Sequence, residues 1–156
     1  MRTKKRILIA DGDHDLITRL AFFFEDDGYE TTIAWGGQEA VEQLHSGEFE
    51  FILLGEQLPD VRPKEVWQAI RLLSAAPTVV LLHGSQSNPE MARIYSDLGG
   101  HCIIREGSAY LIFESVRDCL RAENQRQIQE GKSTSGERSR RLAHGVGHSA
   151  NGRAVC

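Results

Sequence analysis

The sequence predicts an α/β protein with a mostly parallel sheet of five strands covered by helices on both faces. Short apolar runs alternate with segments whose apolar residues recur at helical spacing, which is the pattern of strand–helix units. The connections are short and rich in Gly, Pro, Asn and Asp, and five such units fit into roughly 125 residues, enough for one doubly wound layer sandwich.

The first strand is RILIA, Arg6 to Ala10. From Asp15 to Asp27, Leu16, Ile17, Leu20, Ala21, Phe23 and Phe24 share one helical face, and Gly28 supplies the stop. A second strand covers Glu30 to Ala34, and a helix from Gln38 to His45 uses Ala40, Val41 and Leu44. Phe49 to Leu54 forms the third strand. Its helix starts at Pro63, a residue favoured at the first helical position, and carries Val66, Trp67, Ile70 and Leu73 inward. TVVLLH, Thr78 to His83, is the fourth strand. Asn88 and Pro89 then open a helix that ends at Gly99 and Gly100. HCIIR, His101 to Arg105, is the fifth strand, and a last helix runs from Ala109 through Leu120 toward Gln129.

At 156 residues the chain has room for one domain with a core and an appendage. Residues 1–120 hold 11 Lys and Arg against 19 Asp and Glu, whereas residues 121–156 hold 7 against 3, so an acidic body precedes a basic end. The expected division is a domain over residues 1–125 and a polar, disordered tail over 126–156, whose composition offers too little apolar surface to offset ordering entropy. Cys102, Cys119 and Cys156 are odd in number and widely spaced, which fits a reducing compartment and no disulfide framework. The apolar stretch after the basic start stops at Asp11, too short for a signal peptide or a membrane span, so a cytoplasmic protein is expected.

Three stretches carry a family resemblance. ILIADGDHD, FEFILLGEQLPD and LGGHCIIREGS resemble, in register from Lys5 to Arg121, the acidic cluster, phosphoacceptor strand and Lys-Pro loop of the receiver domain of bacterial two-component response regulators. The resemblance implies a CheY-like, flavodoxin-like (βα)5 sheet in the order 2-1-3-4-5. It also implies a pocket in which an aspartate takes a phosphoryl group beside Mg²⁺, a hydroxyl residue and a lysine. In this register the acceptor position is Gly55, and of the two metal-binding acid positions Asp11 fills the first and Gly12 the second. The hydroxyl position is Leu82, the lysine position Glu106, and the aromatic switch position Ile103. The scaffold is retained and the chemistry replaced, so the expectation is a degenerate, pseudo-receiver module without enzymatic activity or cofactor. Its partner would be another protein, an effector, a kinase or a second regulator, or a second copy in a homodimer. The resemblance implies contact through the face of the fourth helix, fifth strand and fifth helix, with Arg93, Ile94, Asp97, Ile103, Arg105, Phe113 and Arg117 as candidates.

Other chemistry is weighed beside it. Glu56 as a substitute acceptor or acidic mimic lies one residue too far along the strand, and a solvated loop acid is the plainer reading. Asp11, Asp13, Glu56 and Glu106 could together attract a weakly held Mg²⁺, chiefly at Asp11, although ordinary rim acids are commoner. His144, His148 and Cys156 have a metal-like spacing in a glycine-rich stretch that disfavours the helix they need. His83 and His101 stand at strand ends, where a hydrogen-bonded or exposed histidine is the usual case. Arg138, Arg140 and Arg141 lack aromatic neighbours and any helix-turn-helix pattern, so nucleic acid is not an expected partner, and neither is a membrane. A function of another class, a small-molecule or nucleotide sensor, would need the side chains absent at Gly12 and Gly55 to leave an open crevice.

Overall fold

The computed structural model describes residues 4–84, 93 and 100–132. The elements in order are β1 (Arg6–Ala10), α1 (His14–Asp26), β2 (Glu30–Ala34), α2 (Gly37–Ser46), β3 (Phe51–Gly55), α3 (Pro63–Arg71), β4 (Thr78–His83), β5 (His101–Ile104) and a last helix (Ala109–Lys132). All neighbouring strands are parallel, in the order β2-β1-β3-β4-β5 expected from the sequence.

Strand alternation explains why the central strands are apolar throughout. Ile7, Ile9, Phe51, Leu53, Val80, Leu82 and Ile103 point to one face. They pack there with Leu16, Ile17, Leu20 and Phe24 of α1 and Ile112, Phe113, Val116 and Leu120 of the last helix. Leu8, Ala10, Ile52, Leu54, Val79 and Leu81 point to the other, against Ala40 and Leu44 of α2 and Val66, Trp67 and Ile70 of α3. A residue shift of one in any strand would exchange the two sets, so the register is held by both cores at once.

The helix ends follow local chemistry. Asp13 caps α1 by accepting the Leu16 N–H at 3.1 Å, and Gly28, at φ 99°, ends it in a left-handed turn that a β-carbon would strain. In α3, Pro63 starts the helix while Glu65 Oε2 accepts the Arg62 N–H at 3.0 Å. The exposed Asp60 serves α2 from another loop: its carboxylate accepts the N–H groups of Gly37 at 2.8 Å and Gln38 at 3.1 Å.

Most boundaries lie within a residue of the sequence reading, and the larger differences are at the start of β3 and the end of the last helix. β3 begins at Phe51 rather than Phe49, whose ring is buried in the second core beneath the Arg6 guanidinium. The last helix passes residue 125 and continues to Lys132, so the division between residues 1–125 and 126–156 falls inside a helix. The remainder of that stretch, 133–156, lies outside the described residues, as does the helix expected from Asn88 to Gly99 apart from the exposed, helical Arg93. Among the described residues no helix is long and apolar enough to cross a membrane.

Phe24 is fully buried and meets Tyr29 and Phe113 edge-on, with ring centroids at 5.4 and 4.8 Å. Phe24→Ala is expected to lower unfolding stability by about 3–5 kcal/mol, read from urea midpoints followed by far-ultraviolet dichroism.

Candidate functional site

A parallel sheet delivers the C-terminal ends of all its strands to one edge, so Asp11, Gly55, Leu82 and Arg105 meet although they are far apart in sequence. Asp11 follows β1 directly and is 1% exposed. Its Oδ1 accepts the Asp13 N–H at 2.7 Å. Its other oxygen turns toward β3: a β-carbon on Gly55 would stand 1.5 Å from Oδ2. The Asp11 carboxylate therefore fills the volume that any side chain at Gly55 would need.

The charge buried there faces a cation. Arg105, which follows β5 and stays tied to β4 through its N–H to the His83 carbonyl at 2.8 Å, sends its guanidinium back across the sheet edge. Nη2 donates to Asp13 Oδ2 at 2.6 Å, and Nη1 lies 3.9 Å from Asp11 Oδ2. Burial pushes the Asp11 carboxyl above its ordinary pKa, opposed by the Asp13 N–H and by Arg105. Asp13 moves the other way, held below its ordinary value by the Leu16 N–H first and then by Arg105.

Gly12 closes the neighbouring loop. Its N–H donates to the Gln57 carbonyl at 2.8 Å, and a β-carbon at this position would stand 2.5 Å from that oxygen. Only glycine lets the loop after β1 approach the loop after β3 so closely. The open crevice required by the small-molecule reading is thus absent at both glycines: one space holds the Asp11 carboxylate and the other the Gln57 carbonyl.

The remaining positions separate into core and rim. Leu82 and Ile103 are buried in the α1 core, while Glu106 is exposed beside Gly107, which has φ 83°. Glu56 is half-buried and accepts the Gly84 N–H at 3.1 Å, which fastens the end of β4 and replaces the solvated loop acid expected from sequence. The four acids imagined around Mg²⁺ are not gathered. Asp11 and Asp13 are bridged by Arg105, Glu56 is engaged elsewhere, and Glu106 stands apart. Among the described residues no three His, Cys, Asp or Glu side chains converge on one cation position. As placed, with the Arg105 guanidinium facing Asp11 and Asp13, these acids do not form a divalent-ion site.

Of the candidate contact residues, Ile103 and Phe113 are core residues, 7% and 4% exposed, and can shape a face only from beneath. Arg105 is turned to Asp11 and Asp13 and is likewise not free for a partner. Arg117 is half-buried over the Phe113 ring, 5.4 Å from its centroid, with Glu114 and Asp118 beside it. Arg93 is exposed, and Ile94 and Asp97 lie outside the described residues, as do His144, His148, Cys156 and Arg138, Arg140 and Arg141. His101 bonds Glu123 of the last helix at 3.1 Å, and His83 is buried with Nδ1 3.3 Å from the Gly84 carbonyl.

Sequence reasoning missed the role of Arg105. Its signal was a cation at the very end of the fifth strand, one residue before the position aligned with the receiver lysine. Removing it would leave Asp11 buried without a counter-charge. Arg105→Ala is expected to cost about 3 kcal/mol in urea unfolding, with part recovered by Asp11→Asn in the same chain. Asp60 predicts a pH effect. The N–H groups of Gly37 and Gln38 hold its carboxyl below the ordinary value, so its contribution is present above the unfolded-state carboxylate pKa and is lost as pH falls through the lower folded value. Asp60→Asn should therefore flatten the acid limb of a stability curve measured from pH 6 downward.

No family model matches the chain. It is similar to the transcriptional regulatory protein CrdR of Helicobacter pylori, 28% identical over 95 residues that cover 60% of this chain and 44% of that protein. It is also similar to the response regulator ArlR of Staphylococcus haemolyticus, 23% identical over 123 residues that cover 78% and 55%. The chain spans about half the length of the curated relatives it matches. Among solved structures, a CheY-like response regulator receiver domain protein from Methanospirillum hungatei superposes with a TM-score of 0.68 at 22% identity, covering 80% of this chain and 99% of that one. A two-component response regulator from Clostridium difficile gives 0.65 at 22%, covering 78% and 99%. The fold is that of CheY-like receiver domains, and the sequence likeness to two regulators points the same way.

Proposed function

We propose that this chain is a receiver-like signalling module of a two-component, phosphorelay setting that has lost phosphoryl transfer and acts by binding another protein. The observation that carries this reading is the Asp11 carboxylate in the volume a Gly55 side chain would need. Phosphoryl transfer requires a nucleophile, with metal and cationic groups gathered on the transferred group. Gly55 has no nucleophile, Leu82 has no hydrogen to donate, and the acid after β1 is engaged with an internal guanidinium. Arg105 supplies a permanent counter-cation where an active receiver would recruit a metal.

In this reading the module is a non-catalytic, cytoplasmic pseudo-receiver that rests in one state. A partner, whether an effector, a kinase, another regulator or a second copy, biases it only through differential affinity for alternative conformations. The docking face is the one beside β5 and the last helix, with Arg93 and Arg117 at its surface and Ile103 and Phe113 supporting it. Ile94 and Asp97 complete the proposed face.

The test is an amide NMR titration of the full chain with Mg²⁺, then beryllofluoride, then acetyl phosphate, followed by intact mass. The expected result is no saturable shift at Gly12, Gly55 or Glu106 and no phosphoryl adduct. A stoichiometric adduct, or saturable shifts that spread from Gly55 to Ile103, would overturn the reading.

A further inference from the structure

The end of the sheet opposite the strand mouths carries a different chemistry. There the start of β1, the turn after α1 and the last helix enclose a cleft of about 400 Å³. Lys4, Lys5 and Arg121 bring three cations to it against one acid, Asp27, although the body of the protein is strongly acidic.

Little of that positive charge is compensated. Lys5 Nζ donates to the neutral Asn124 Oδ1 at 2.7 Å and lies 5.7 Å from the centroid of the Phe51 ring, so neither contact cancels a full charge. Lys4 has no ion-pair partner among the described residues. Arg121 is 60% exposed and approaches Asp27 only to 3.6 Å. A helix C-terminus would ordinarily repel an anion, but the terminal carbonyls of α1 are engaged. The Asp27 N–H reaches Phe23 and Phe24, the Gly28 N–H reaches Glu25, and the Tyr29 N–H reaches Phe24.

We propose that this cleft binds a small phosphate-bearing molecule, its dianion held by Lys4, Lys5 and Arg121 and its body set against the Tyr29 ring. Three cations against one acid match a dianion better than a monocarboxylate, and the volume lies within the range of small-molecule sites. Tyr29 lines the cleft, and burial raises its phenol above its ordinary pKa. Arg121 and Asn124 belong to the last helix and Asp27 and Tyr29 to the turn after α1. An occupant therefore ties that helix to the body at the place where it leaves the sheet. The site is independent of the reading of the strand mouths.

The test is an amide NMR titration of the full chain at constant ionic strength, first with inorganic phosphate and then with adenosine monophosphate. Saturable shifts are expected at Lys5, Gly28, Tyr29 and Asn124. Lys5→Gln should weaken the apparent affinity about tenfold, whereas Asp27→Asn should strengthen it, since the one acid among the described lining residues is removed. Equal affinity for the two probes identifies free phosphate as sufficient, and tighter binding of the nucleotide identifies an organic body as part of the ligand. The proposal fails if neither probe saturates, or if Asp27→Asn leaves the affinity unchanged. It fails equally if a DNA duplex shifts the same residues with steep salt dependence and phosphate does not displace it.

Discussion

An ionised carboxylate buried among apolar strands costs several kcal/mol unless it is met by charge and hydrogen bonds, and Asp11 sets that condition for the whole edge of the sheet. Its position after β1 is imposed by the parallel register, and its side chain has one place to go, the space left open by Gly55 on β3. Arg105 must then come from β5 to face it. Asp13, which already caps α1, accepts the short charge-assisted bond that holds the guanidinium in position. Three strands and one helix end are joined by a single electrostatic arrangement.

Geometry closes that arrangement in, although Asp11 Oδ2 and Arg105 Nη1 are buried there without a hydrogen-bond partner. Gly12 brings the loop after β1 against the carbonyl of Gln57, which removes the space beside Asp11 from the other side. Glu56 fastens the end of β4, and the Arg105 N–H fastens the end of β5. The site thus carries its own counter-ion and its own fillers. A group that arrived there would have to displace covalently attached partners at high effective concentration.

The two ends of the sheet differ in how their charges are met. At the strand mouths a largely buried Arg105 bonds Asp13 at 2.6 Å and stands 3.9 Å from Asp11. At the other end Lys5 rests on a neutral amide and an aromatic face, and Arg121 holds Asp27 loosely. The first is closed by its own residues and the second retains uncompensated charge, a contrast that follows from which side chains lie within reach rather than from net charge.

The amino-acid pattern alone determined the five strands, their parallel character and the two apolar faces, because burial on both sides of a sheet demands continuous apolar runs and helix faces demand 3.6-residue spacing. The family resemblance added the expectation that Gly55, Leu82 and Glu106 take the nucleophile, hydroxyl and lysine positions of a receiver. Only the tertiary structure decided what occupies the emptied space. The turn of Asp11 toward Gly55, the reach of Arg105 across the sheet edge and the capping of α2 by Asp60 are contacts between residues 22 to 94 positions apart. Their existence depends on side-chain direction at strand ends, where alternation no longer constrains the chain. The cleft at Lys5 and Arg121 was hidden because it joins residues far apart in the chain, from the start of β1, the turn after α1 and the last helix.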